Sequence, residues 1–225
     1  MRSLACILLI GSLIGCNNKE IAEQPAPSDT TATSQTLPSK FERLFALYPS
    51  ITFDSLRVES PHYEDNGNLI GKFIGKPLDS AAFSQLRTLL GRDIPPLSEG
   101  YFAYGKFAVE PGLVGLITRV PGMYSPSKVH LYLVDPVKDV LVSDLELSEH
   151  WGDAGDVFLK QSVLKPRVEG LLIRVEEQSS YYHSIEDENN DSVTIGNLDY
   201  EILLARDRRD STYLSSSKRT VLSKH

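Results

Sequence analysis

The sequence predicts a mainly β protein. It reads as an antiparallel meander arranged as a sandwich, a partly open barrel or a propeller-like fragment, with one or two short helices at the N-terminal side. Three observations point there. Beyond residue 100 the apolar period is 2 rather than 3.6. The alternating runs are short and separated by turn residues. No helical stretch stands between successive runs, so the parallel βαβ arrangement is not expected.

The elements follow in order. Ser39 and Glu42 have capping-box spacing, and Phe41, Leu44, Phe45 and Tyr48 recur at helical intervals until Pro49. This predicts a helix over 40–47. Asn66-Gly67 predicts a hairpin turn joining a strand near 52–59 to one at 69–74. Residues 80–90 predict a clearer helix. Asp79 or Ser80 can cap it, Phe83, Leu86, Leu89 and Leu90 share a face, and Gly91 suits its end.

Strands are then expected where apolar residues alternate: Val114, Leu116 and Val120; Val129, Leu131 and Leu133; Leu141, Leu145 and Leu147; Val157 and Leu159; Leu171, Ile173 and Val175; Tyr200, Ile202 and Leu204. Pro121-Gly122, Asp135-Pro136, Trp151-Gly152-Asp153, Pro166 and the segment 186–191 separate them. The sequence shows no repeat at a fixed period, and it is short for most full propellers.

The N-terminus has a different character. Met1-Arg2 precedes an apolar run from Leu4 to Ile14, which ends in Leu13-Ile14-Gly15-Cys16. A basic start, a short apolar stretch and small residues before a cut site make a secretory signal peptide. The run is too short for a spanning helix, which needs ~20 apolar residues. A cysteine directly after the Leu-x-Gly triplet resembles the lipobox of bacterial lipoproteins. That resemblance covers only the first twenty or so residues. It implies that Cys16 becomes the first residue of the mature chain and carries acyl chains, and so a lipid-anchored location in a bacterial cell envelope. Asn17 rather than Asp follows the cysteine, which in Gram-negative sorting implies the outer membrane.

The expected organisation is a signal peptide at 1–15, a disordered tether at 16–38, one β-rich domain at 39–215 and a polar tail at 216–225. The tether is polar and rich in Pro, Thr and Ser, with little to bury. A flexible coil of that length reaches roughly 25 Å.

Composition excludes several chemistries. The formal net charge is -7, and removal of Arg2 with the signal makes it one unit more negative. Nucleic acid is therefore not an expected partner, and no basic patch is expected to grip anionic lipid. The two cysteines are Cys6 and Cys16. One leaves with the signal and the other is acylated, so the mature fold offers neither thiol catalysis nor zinc-thiolate binding.

The remaining candidates are sparse. His62, His130, His150, His183 and His225 include no pair at metal-binding spacing. The sequence Gly71-Lys72-Phe73-Ile74-Gly75-Lys76-Pro77 looks superficially like a phosphate loop. It lacks the glycine spacing and the Ser/Thr that such a loop needs, so two glycines and solvated lysines on a strand are expected instead. Asp187, Asn189 and Asp191 alternate as in the first half of a calcium loop. Ser192 replaces its glycine and Leu198 its bidentate glutamate. Calcium is the one cofactor these residues suggest, and a solvated acidic hairpin loop is the competing reading.

Trp151, Asp153, Asp156, Tyr181 and Tyr182 form a candidate ligand patch, because aromatic faces beside carboxylates can hold a sugar or a peptide. Glu146, Glu149, Asp153 and Asp156 are close enough in sequence to suggest paired acids, as in glycoside hydrolysis. Two functions are thus expected: a non-enzymatic module binding a protein or glycan of the envelope, or an envelope hydrolase using turn carboxylates.

Overall fold

A computed structural model of the chain describes residues 39–64, 66–122, 127–153, 156–183, 192–205 and 220–224. The expected antiparallel meander is present. Among the described residues are two α-helices, α1 (Glu42–Leu47) and α2 (Ser80–Leu90). The early strands are short: β1 (Leu56–Val58), β2 (His62–Tyr63), β3 (Leu69–Ile70) and β4 (Lys76–Pro77). The sheet proper follows with β5 (Phe102–Glu110), β6 (Leu113–Val120), β7 (Lys128–Asp135), β8 (Val140–Asp153), β9 (Asp156–Arg167), β10 (Gly170–His183), β11 (Ser192–Ala205) and β12 (Thr220–Lys224). Pairing runs without interruption from β4 to β12 in sequence order, and the sheet is not closed.

The helices obey local rules. Asp79 caps α2 by accepting the Ala82 amide at 2.8 Å, and Gly91 ends it in the left-handed region at φ 63°. The predicted capping box on α1 does not form, and the helix begins at Glu42. Ser39 is engaged elsewhere: its hydroxyl donates to Asp139 and accepts the Phe41 amide. The hairpin loop between β7 and β8 thereby holds the start of α1.

The predicted hairpin at Asn66-Gly67 is a turn, with Gly67 at φ 79°, but it joins β2 to β3. Pro61 separates β2 from β1, and β1 crosses to pair with β9 instead, Leu56 opposite Leu164 and Val58 opposite Ser162. The segment expected as a strand at 69–74 leaves extended pairing after Ile70. The 71–75 stretch is a loop in which Gly71 and Gly75 both have positive φ.

Alternation assigns the core. Along β7, Val129, Leu131 and Leu133 enter one cluster with residues of β1, β9, β10 and β11. Tyr132 and Val134 enter a second with both helices. The half-sheet β5–β8 is thus covered on both faces, which explains why β6 and β7 are buried almost throughout.

The fold turns on β8. It pairs with β7 up to Glu149, then with β9 from Glu149 to Asp153. Beyond that point the edge of β9 belongs to β1. Register shifts between β7 and β8 at Val129/His130 and Leu133/Val134 mark irregularities that bend and twist a strand. They let the two halves of one sheet share a core.

Candidate functional site

Where β8 changes partner, four charged residues form a row across four strands. Lys128 stands opposite Glu149, Glu149 opposite Lys160, and Lys160 opposite Glu177. The signs alternate, which is the favourable order for cross-strand neighbours. Glu146 joins the row from the bulged part of β8. Lys128 Nζ lies 2.9 Å from Glu149 and 3.0 Å from Glu146. Lys160 Nζ lies 3.2 Å from Glu146 and 3.4 Å from Glu177. The Tyr200 hydroxyl donates to Glu177 at 2.7 Å.

These groups are mostly withdrawn from water, Lys160 with 13% of its side chain exposed and Glu149 with 9%. Burial pushes the Glu146 carboxyl up, but the ammonium groups of Lys160 and Lys128 outweigh it and hold it below the usual range. Burial pulls Lys128 down, and its bonds to Glu149 and Glu146 carry it above the ordinary lysine value. Both groups stay charged near neutral pH. A general acid requires the opposite shift. The row therefore acts as an electrostatic clamp on four strands.

The next row outward on the same face is aromatic. Trp151 stands opposite Phe158, Phe158 opposite Ser179, and Ser179 opposite Gly196. The Trp151 and Phe158 rings stack with centroids 5.9 Å apart at 24°. Beside them, a Cβ at Gly196 would lie 2.9 Å from Ser179 Oγ. Two large rings thus adjoin two positions with almost no side chain, which makes a step. Asp156 and Tyr181 follow two residues further along β9 and β10, on the same face by alternation. Tyr181 is 40% exposed. Trp151, Asp156 and Tyr181 of the predicted patch therefore lie at neighbouring positions. Asp153 is opposite Asp156, and Tyr182 is opposite Val193.

The reverse face of the same hairpins holds a hollow of about 220 Å³ bordered by His150, Val157, Leu159, Gln178, Ile195 and Asn197. Val157 and Ile195 are both exposed there. His62 of β2 places its ring edge-on to His150, with centroids 6.1 Å apart. Sequence spacing could not reveal that pair, because β2 and β8 are distant in the chain. Among the described residues no three His, Cys, Asp or Glu side chains group as metal ligands.

His130 occupies a satisfied pocket. Its Nδ1 lies 2.8 Å from Asp144 Oδ1, and Arg92 binds the other carboxylate oxygen. Burial pushes Asp144 up, but the His130 bond, with the charges of His130 and Arg92, keeps it below the usual aspartate range. Of the remaining predicted positions, Cys16, Asp187, Asn189 and Asp191 lie outside the described residues. Compared with protein families, curated proteins and solved structures, the chain matches none.

Proposed function

We propose that this chain is a lipid-anchored protein of a bacterial cell envelope that acts by binding a protein or glycan rather than by catalysis. Cys16 carries the anchor, and the polar segment after it holds the domain off the membrane. The binding surface is the end of the β8–β9 and β10–β11 hairpins that carries Trp151, Phe158 and Tyr181. The Trp151–Phe158 step beside Ser179 and Gly196 carries this reading, because a flat aromatic pair next to bare backbone offers apolar area with little side-chain ordering on binding. The charge row behind it supports binding over hydrolysis, since its carboxylates are paired with the ammonium groups of Lys128 and Lys160, and Glu146 is held charged by them.

The test is a pull-down from detergent-solubilised envelopes with the full chain, Trp151→Ala, Ile195→Asp and Val168→Asp. Val168 is fully exposed at the opposite turn of the β9–β10 hairpin and serves as the control. Loss of a partner with Trp151→Ala, but not with Val168→Asp, supports the proposal. Equal capture by all four, or envelope-glycan hydrolysis that vanishes with Glu146→Gln, contradicts it.

A further inference from the structure

A second hollow lies far from those hairpins in the sequence, along the outer edge of β5. That edge is covered in two places. Lys76 pairs with Ala103, and Pro49 to Ile51 exchange backbone bonds with Lys106 at 2.8 and 2.9 Å. Between them, at Tyr104, neither cover reaches. The gap is a hollow of about 470 Å³, a size that accepts a small organic ligand.

Its chemistry has two parts. Ala46, Leu47, Pro49 and Ala103 give an apolar wall, and Lys72 and Lys76 line the other side with Tyr104. Both lysines are exposed. Among the described residues neither ammonium has a carboxylate partner, and the Tyr104 hydroxyl makes no hydrogen bond. In a chain with a net charge of -7, two unneutralised cations at one hollow mark it for an anion.

The loop that carries Lys72 and leads into Lys76 is held in place. Arg119 Nε donates to the Ile74 carbonyl at 2.9 Å, and its guanidinium lies 3.5 Å from the centroid of the Phe102 ring. Phe73 is buried and packs on Tyr104 with centroids 4.3 Å apart. Gly75, at φ +71°, brings the backbone against Ala103, where a Cβ would lie 3.0 Å from the carbonyl oxygen. A backbone already held in place loses less entropy on binding than a mobile one.

We propose that this hollow binds a small amphiphilic anion, its carboxylate or phosphate head between Lys72 and Lys76 and its apolar body against Leu47 and Pro49. Two lysines suit either head group, because each acts as a point charge rather than as a planar fork.

The test is an NMR titration of the chain from residue 16 onward carrying Cys16→Ser, which has neither the apolar leader nor the acyl chains and so needs no detergent. The probes are hexanoate, hexyl phosphate, hexan-1-ol and inorganic phosphate. Hexanoate or hexyl phosphate is expected to give saturable shifts at Lys72, Gly75, Lys76 and Tyr104, and the tighter of the two identifies the head group. Lys72→Ala and Lys76→Ala should each weaken that binding up to about fivefold, and added salt should weaken it further. No saturable shift at those four residues, equal binding of hexan-1-ol or inorganic phosphate, or an affinity unchanged in the double variant overturns the proposal.

Discussion

Lys128 and Lys160, on two strands that do not pair with each other, hold the two oxygens of one carboxylate. Lys128 Nζ lies 3.0 Å from Glu146 Oε2, and Lys160 Nζ lies 3.2 Å from Glu146 Oε1. That single glutamate bridges the strands on either side of β8, at the place where β8 leaves one neighbour for the other. The junction between the two halves of the sheet is therefore set by charge as well as by apolar packing.

Removing one cation from the row leaves half-buried anions without their partner, and this costs more than an exposed ion pair contributes. Lys160→Met is expected to lower the unfolding free energy by about 1–3 kcal/mol. Urea denaturation measures it, and the paired variant Lys160→Met/Glu177→Gln should recover part of the loss. A change within about 0.5 kcal/mol, as at an ordinary surface position, would mean that the row contributes little.

The acid limb of stability follows from the same groups. Glu146 and Asp144 both have carboxyls held below their ordinary values near 4.5 and 3.8. A depressed folded value means that the stabilisation is present above the unfolded value and is lost as pH falls through the folded one. The melting temperature should accordingly drop as pH is lowered beneath about 4.5. Glu146→Gln should flatten that drop. Lys128 acts at the other end: its raised value means a contribution complete below 10.5 that is lost at higher pH.

The helical layer rests on a buried polar contact. The Tyr48 hydroxyl and Thr118 Oγ1 are 2.7 Å apart, Tyr48 is 1% exposed, and Thr118 is fully buried. Burial pushes the Tyr48 phenol far above its usual value, so it stays protonated. Tyr48→Phe leaves Thr118 unsatisfied and should cost about 1–3 kcal/mol. Adding Thr118→Val should restore part of it, because an apolar pair no longer strands a polar group. Thermal unfolding of the two variants and the double variant checks this.

The core-forming strands could be read from alternation because Val114, Leu116 and Val120 of β6, Val129, Leu131 and Leu133 of β7, and Leu171, Ile173 and Val175 of β10 stand at even intervals. Helix α2 was equally legible, since Asp79 and Gly91 supply its ends by local bonding alone. β5 was harder to see. Gly105 and the register shifts near it interrupt its alternation, and Ile51 packs where a side chain would stand. The extension of β8 through Trp151 and of β9 through Pro166 also escaped. Turn-type residues there sit in paired strands, because tertiary pairing overrides local preference.

The candidate site was half legible. Trp151, Asp156 and Tyr181 were singled out by residue type, and register places them near one another. The charge row was not, because Lys128, Glu149, Lys160 and Glu177 become neighbours only once the pairing of four strands is known. The lysine hollow was hidden for a similar reason. Sequence alone suggests a strand across 71–77, whereas the loop at 71–75 brings Lys72 to the edge of β5.

We propose that a lipid at Cys16 moors a binding domain to a bacterial envelope. Mass spectrometry of the N-terminal peptide from the protein in its native envelope tests it most directly. The expected result is a chain that begins at Cys16, with the sulfur carrying diacylglyceryl. An N-terminus elsewhere, or a free thiol at Cys16 in membrane-bound protein, would contradict it.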